Sequence, residues 1–264
     1  MNAGTASALP VWTPPAGWRS IDFISDLHLA ADHPRTVQAW ARYLARTQAD
    51  AVVMLGDVFE AWVGDDSRDL PFERGLVDAI KAATSRRTVA FMAGNRDFLV
   101  GPALIGAAGM LHLSDPTCLE ACGRRWVLVH GDAQCLQDRR YQAFRTQVRD
   151  PAWQQAFLTR PLAERIEIAR AMRRESMRQQ QGVTESIGDL DAPACRALLH
   201  RAGASVLLHG HTHRPAVHDL GQGLSRQVLS DWDLDDAAAP RAEVLRLSPA
   251  GSLRRMAPDA ACAA

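Results

Sequence analysis

Along this chain, short apolar runs break again and again into a polar tip. Arg19–Ser25 ends in Asp26 and His28, Ala51–Leu55 in Gly56–Asp57, and Thr88–Ala93 in Gly94-Asn95-Arg96-Asp97. Arg125–Val129 ends in His130-Gly131-Asp132, and Ser205–Leu208 in His209-Gly210-His211-Thr212-His213. Runs of Val, Ile, Leu, Phe and Met this short predict buried strands. A strand that ends so delivers its polar residue to the carboxyl edge of a sheet, where open α/β folds gather ligands. Residues two apart on extended backbone point the same way, so Asp26 and His28 can reach one ion, and His211 and His213 adjacent ones.

The segments between these strands carry a helical period. A helix is predicted from His33–Pro34 to Gln48, with Val37, Trp40, Ala41 and Leu44 on one face, and another over 72–85. Thr117–Ala121 and Arg125–Val129 read as a hairpin around Gly123. From about residue 192 a third helix precedes the strand at Ser205–Leu208, and Ala216–His218, Ser225–Leu229, Ala242–Leu247 and Ser252–Met256 read as further strands. The expected fold is α/β: two sheets sandwiched between helices.

Between 133 and 182 the pattern changes. Strand signals vanish, Trp153, Phe157, Leu158, Leu162, Ile166, Ile168 and Met172 fall at helical spacing, and Pro151 and Pro161 punctuate the run. Ten Arg stand against five Asp and Glu between Ala133 and Gln181, in a chain of net charge zero. This predicts a helical cap inserted into a domain spanning 19–256. Two readings of it stay open: a helical subdomain with a solvated Arg face, or a cap that handles lipid. Residues 1–18, rich in Pro, Ala and Gly, are expected to form a loose extension, and 257–264 an unstructured tail.

Composition narrows the partners. A net charge of zero argues against a general nucleic-acid binder, which normally carries a basic face. Lys81 is the only lysine, and genomic base composition is the plain explanation, although Arg suits phosphate better. Five cysteines without a C-x-x-C pair read as reduced thiols of a cytosolic protein. The start lacks the basic and apolar regions of a secretory signal, and no stretch is apolar enough to span a membrane.

The polar tips together supply two Asp, one Asn and four His, a set suited to two divalent cations. Such a pair needs a bridging carboxylate and flanking neutral or anionic donors. Carboxylate, amide and imidazole favour ions such as Mn²⁺, Zn²⁺ or Fe²⁺.

The order D-x-H, G-D, G-N-x-D, H-G-D, G-H-x-H resembles the calcineurin-like metallophosphoesterases. That resemblance implies that Asp26, His28, Asp57 and His213 hold one ion. Asp57, Asn95, His130 and His211 hold the other, with Asp57 bridging. The resembled pattern uses only the histidines flanking Thr212, so His209 reads as structural. Arg96 stands where many of these enzymes carry a histidine able to act as general acid. Arginine cannot give up a proton near neutrality, so it can only clamp phosphate, and the leaving group must need no protonation. A phosphate monoester is such a group, which points to cleavage of a pyrophosphate.

Finer blocks, LGDVFEAWVGDD, GNRDFL, YQAFR and HGHTHRPAVH, resemble the UDP-2,3-diacylglucosamine pyrophosphatases of lipid A biosynthesis from about Ile21 to Asp233. The resemblance implies release of UMP and a diacylglucosamine 1-phosphate by a hydroxide activated on two Mn²⁺ per chain. Asp57, Asn95 and Arg96 carry the reaction, and Asn95, Arg96, Asp138, Ser176, Gln180 and His211 contact the substrate. It also implies a peripheral protein at the cytoplasmic face of the inner membrane, meeting that surface and a UDP-linked diacylated glucosamine, with no nucleic acid and no obligate protein partner. Two positions depart: Gln180 replaces a common Asn, and Val183 a common Lys whose contact a neighbour such as Arg178 would have to supply. The alternative is a metallophosphoesterase acting on soluble nucleotides or phosphoproteins.

Overall fold

The structure, a computed structural model, describes residues 8–180 and 188–263, without the side chains of 176–180. A short strand β1 (Val11–Trp12) precedes β2 (Ile21–Ile24), α1 (Pro34–Arg46), β3 (Ala51–Leu55) and α2 (Pro71–Thr84). Next come β4 (Thr88–Met92), α3 (Pro102–Ala108), β5 (Leu111–Leu113) and the hairpin β6 (Thr117–Ala121) and β7 (Arg124–Leu128). The insertion holds α4 (Arg139–Val148), α5 (Pro151–Leu158) and α6 (Leu162–Gln180). The chain closes with α7 (Ala192–Ala202), β8 (Val206–His209), β9 (Val217–Gly221), β10 (Leu224–Val228), β11 (Val244–Leu247), β12 (Leu253–Met256) and α8 (Pro258–Ala263).

Two six-stranded sheets result, in the orders β12-β11-β2-β3-β4-β5 and β1-β6-β7-β8-β10-β9. The period of two along β3 shows how they stack. Val52 and Met54 join Trp40, Tyr43, Leu44, Leu76 and Ile80 in a core under α1 and α2. Ala51, Val53 and Leu55 turn the other way and meet Trp126, Leu128 and Leu208 of the second sheet. All five residues of β3 are buried, as a strand covered on both faces requires. Beyond the second sheet, Val127 and Leu207 pack on Cys195 and Leu199 of α7. The expected sandwich is present, and its parallel neighbours β2, β3 and β4 end on one edge together, as do β7 and β8.

Four segments differ from the sequence expectation. Residues 8–18 are not loose: β1 adds to the open edge of β6 with Val11 opposite Cys118, and Trp12 meets Trp18 edge-on at 5.5 Å. The tail is not unstructured through 263, because α8 docks by its small residues. Ala261 is fully buried, and its carbonyl accepts from Arg246 Nη2 at 2.9 Å. Between Phe98 and Asp115 lie α3 and β5, too short to show a period. The loop after Asp57 contains a 3₁₀ turn, Asp65–Asp69.

The insertion is helical as expected. Much of its apolar character serves docking. Phe157 belongs to the core under α1 and α2, and Trp153, Leu162, Ile166 and Ile168 pack against it. Buried Arg165 pairs with Asp66 and donates to the Val63 carbonyl, fixing α6 to the loop after Asp57. Four of the seven exposed large apolar side chains among the described residues nevertheless belong to the insertion: Leu136, Phe144, Leu158 and Met172.

Candidate active site

Three of the five strand edges deliver their polar residues on unusual backbone. Asp26, His28, Asp57, His211 and His213 all hold positive φ, between 45° and 68°. Side chains rarely accept this region, and clusters of such residues mark functional sites. The turns interlock: Asp26 N donates to Gly56 O and His28 N to Asp57 O, each at 3.0 Å. Glycine is needed where they cross. A Cβ on Gly94 would lie 2.2 Å from Asp57 Oδ1, and one on Gly210 the same distance from Asp26 Oδ2. Gly94→Ala is therefore expected to cost about 1–3 kcal/mol of stability, read as a lower urea midpoint; an unchanged midpoint would contradict the crowding.

The seven side chains converge. His28 Nε2 and His213 Nε2 face each other at 3.3 Å, and Asp26 Oδ1 lies 3.4 Å from His213 Nε2. On the other flank, Asn95 Oδ1 lies 2.9 Å from His130 Nε2 and 2.8 Å from His211 Nδ1, and Asp57 Oδ1 is 3.7 Å from His130 Nε2. Among the described residues two groups are close enough to hold an ion: Asp26 with His28 and His213, and Asp26 with Asp57 and His130. The residue they share is Asp26, where the resemblance put Asp57.

The donors fit divalent cations. Asp26 Oδ1 is buried and has no hydrogen bond. Two imidazole nitrogens aimed at one point repel unless a proton or a cation lies between them. Burial opposes the Asp26 charge, but His213 and the other histidines outweigh it and hold its pKa well below the carboxylate range. Burial pushes the pKa values of His28 and His211 down to about 4, which keeps both rings neutral, the form in which an imidazole can bind a metal. His130 goes the other way: burial is outweighed by Asp57, Asp26 and Asp132, which raise it to about 9. The site's negative field thus draws in positive charge.

A second ring of residues orients the first, and most of it escaped the sequence reading. His28 Nδ1 lies 3.3 Å from Glu60 Oε2, and His213 Nδ1 3.4 Å from Asp231 Oδ2. Carboxylates behind both rings leave the Nε2 atoms free to face the site, an arrangement typical of metal-ligating histidines. His130 Nδ1 donates to the Leu55 carbonyl at 2.9 Å. Asp97 accepts from Gly94 N at 2.7 Å and Val58 N at 2.8 Å, tying two strand edges together. Burial and the neighbouring Asp57 push its pKa up to about 6. Signals for these roles were faint: Asp97 is the last residue of G-N-x-D, while Glu60 and Asp231 lie in loops whose contacts only the fold defines.

Asp132 serves the cap. Fully buried, its Oδ2 accepts from Tyr141 Oη at 2.7 Å and Arg145 Nε at 2.9 Å, both on α4. Arg149 Nη2 donates to the Gly94 carbonyl at 2.8 Å, so the first cap helix is pinned to two strand edges. The Tyr141 ring stands 5.9 Å from His211. The motif YQAFR is a docking strip.

The expected substrate contacts fare unevenly. Asn95, Arg96 and His211 lie in the cluster; Arg96 donates its backbone N–H to Asp57 Oδ1 at 2.8 Å, and its Nε is buried without a partner. Asp138 caps α4, accepting from Tyr141 N at 2.9 Å. Ser176, Arg178 and Gln180 lie on α6, where their side chains fall outside the described atoms, and Val183 lies outside the described residues. His209 is fully buried behind the cluster.

A two-sheet sandwich with this edge defines a class: the family described as calcineurin-like phosphoesterase matches residues 19–215, and the chain belongs to it. A protein of Chromobacterium violaceum named UDP-2,3-diacylglucosamine hydrolase is 46% identical over 217 residues, covering 81% of this chain and 90% of that one. One of the same name from Chromohalobacter salexigens is 41% identical over 233 residues, covering 83% and 94%. Within the class, the chain falls in the UDP-2,3-diacylglucosamine hydrolase family.

Proposed function

We propose that the chain is a metal-dependent hydrolase that splits the pyrophosphate of UDP-2,3-diacylglucosamine into UMP and 2,3-diacylglucosamine 1-phosphate. The observation that carries this is a pair of ligand groups joined at Asp26, set directly beneath a cap whose first helix is anchored on Asp132. Asp26, His28 and His213 would hold one ion and Asp57, Asn95, His130 and His211 the other, with Mn²⁺ as the cation and either aspartate between them. Bound there, two divalent cations lower the pKa of a water and neutralise charge gathering on phosphoryl oxygens.

The chain's own residues bind, orient and exclude. Asn95 Oδ1 lies between His130 and His211 and fixes both rings. Arg96 has no proton to give near neutrality, so its role is to hold an anionic phosphoryl oxygen, and the departing phosphate monoester leaves without protonation. Arg96→His is expected to lower turnover of the pyrophosphate about a hundredfold; unchanged steady-state turnover would remove Arg96 from the clamp.

Among the described residues no helix is long and apolar enough to cross a membrane. Association with the cytoplasmic face of the inner membrane would instead draw on Leu136, Phe144, Leu158 and Met172 together with the arginines of the insertion. The test of the whole reading is ³¹P NMR on metal-stripped protein with the lipid nucleotide, with and without Mn²⁺, beside UDP-N-acetylglucosamine. Signals of UMP and a lipid phosphate only with metal, and only from the acylated compound, are expected. Cleavage of soluble phosphodiesters instead would keep the metal site and discard the lipid substrate.

A further inference from the structure

The turn that carries His211 and His213 is braced from behind by a chain of side chains that reaches the base of the cap. Arg226, on β10, is 4% exposed. Its Nη1 and Nη2 donate to Asp189 Oδ1 and Oδ2 at 2.9 and 2.7 Å, a two-pronged pair. The same Nη1 lies 3.2 Å from Nε2 of His209, the last residue of β8. A guanidinium can only donate, so His209 Nε2 is the acceptor, and a neutral ring then carries its proton on Nδ1. Nδ1 lies 2.8 Å from the Gly210 carbonyl and donates to it.

That carbonyl is the pivot of the turn. It accepts a second bond from Thr212 N at 2.8 Å, while Gly210 N donates to His130 O at 2.9 Å and His211 N to Asp26 Oδ2 at 2.9 Å. His211 and His213 sit on either side of Thr212 at φ of 68° and 54°, a conformation that needs support from its surroundings. Asp189 supplies the far end of the support. It stands where the inserted chain rejoins the sandwich, two residues before Asp191, whose N–H donates to Gln134 O at 2.8 Å.

We propose that Asp189, Arg226 and His209 are positioning residues that fix the His209 proton on Nδ1, anchor the Gly210 carbonyl, and so aim His211 and His213 at a divalent cation. The inference rests on the reading that these two histidines hold metal. A consequence is that the foot of the cap and the two-histidine turn share one brace.

Two measurements test it without using activity. Long-range ¹H–¹⁵N spectra of histidine-labelled, metal-free protein should show the His209 proton on Nδ1, and Arg226→Met should release that preference. Calorimetric titration with Mn²⁺ should show affinity weakened about tenfold or more by Arg226→Met and Asp189→Asn, as for other partners standing behind metal ligands. His209→Gln, whose amide can accept from Arg226 and donate to Gly210 O, should stay within about threefold, whereas His209→Leu should weaken binding like Arg226→Met. This pair also covers the case in which the arginine variant fails to fold, since a mere packing role would make the two alike. Equal affinities for the glutamine and leucine variants, or a proton on Nε2 in the unaltered protein, would overturn the brace. Mn²⁺ binding that is intact in both the unaltered protein and Arg226→Met would overturn the brace alone. No binding by the unaltered protein would sink the metal reading and the brace with it.

Discussion

Replacing Asp57 by asparagine is expected to lower kcat/KM for the lipid nucleotide by about a thousandfold or more, roughly 4 kcal/mol of barrier, while leaving the fold in place. The residue is 2% exposed, and its Oδ1 accepts the Arg96 N–H at 2.8 Å. Asparagine keeps one oxygen for that bond and nearly the same volume, so the strand edge survives. What is lost is the negative charge facing His130 and one of the two carboxylate oxygens. Steady-state kinetics with Mn²⁺ in excess, alongside a melting curve of the metal-free protein, separate the two effects. An asparagine variant within tenfold of the unaltered protein would take Asp57 out of the ligand set.

Asp132→Ala should act through the cap and through stability together. Its carboxylate takes the Tyr141 hydroxyl and the Arg145 guanidinium, and Arg149 lies 3.8 Å away. Burial works against this charge, and His130, His211, Arg145 and Arg149 outweigh it, holding the pKa well below the usual carboxylate range. Removing one partner of a buried ion pair costs about 3–5 kcal/mol, and the lower end applies because both arginines retain partial access to water. Urea unfolding should show a loss near 3 kcal/mol, and proteases should cut earlier within 139–158. A loss below 1 kcal/mol with unaltered cleavage would mean that α4 is held by other contacts, such as Arg149 on the Gly94 carbonyl.

The contrast between these two aspartates shows what a sequence of this kind discloses. Asp57 stands at the end of an unbroken apolar run, and a buried strand can only put such a residue on the sheet edge. The same logic located Asp26, Asn95, His130 and the two histidines flanking Thr212, because strand direction is a local property. Asp132 follows an identical run, yet its work depends on where α4 lands, which no neighbouring residue specifies. Glu60 and Asp231 are further from view. Each supports a histidine that is distant in sequence, 32 residues back for Glu60 and 18 for Asp231, across a turn with no repeating pattern. The short strand β1 and helix α8 were missed for a different reason. Two residues of strand and six of helix carry too little periodicity, and what orders them is an open sheet edge and a buried arginine waiting for a carbonyl.

The cap leaves the sandwich at Asp132–Cys135 and returns at Asp189–Asp191, and a backbone hydrogen bond from Asp191 N to Gln134 O spans the exit. A segment whose ends already touch can be lengthened, shortened or exchanged without moving the strands on either side, because closing it makes no demand on the rest of the chain. Reaction and reach are in that sense inherited separately. Under the proposed function, the sheet edge sets which bond breaks, while drift confined to 139–188 would alter only what the cap presents over it. A transplanted cap would need to bring guanidinium groups for Asp132, Asp66 and the Gly94 carbonyl, and an apolar strip in place of Trp153 and Phe157.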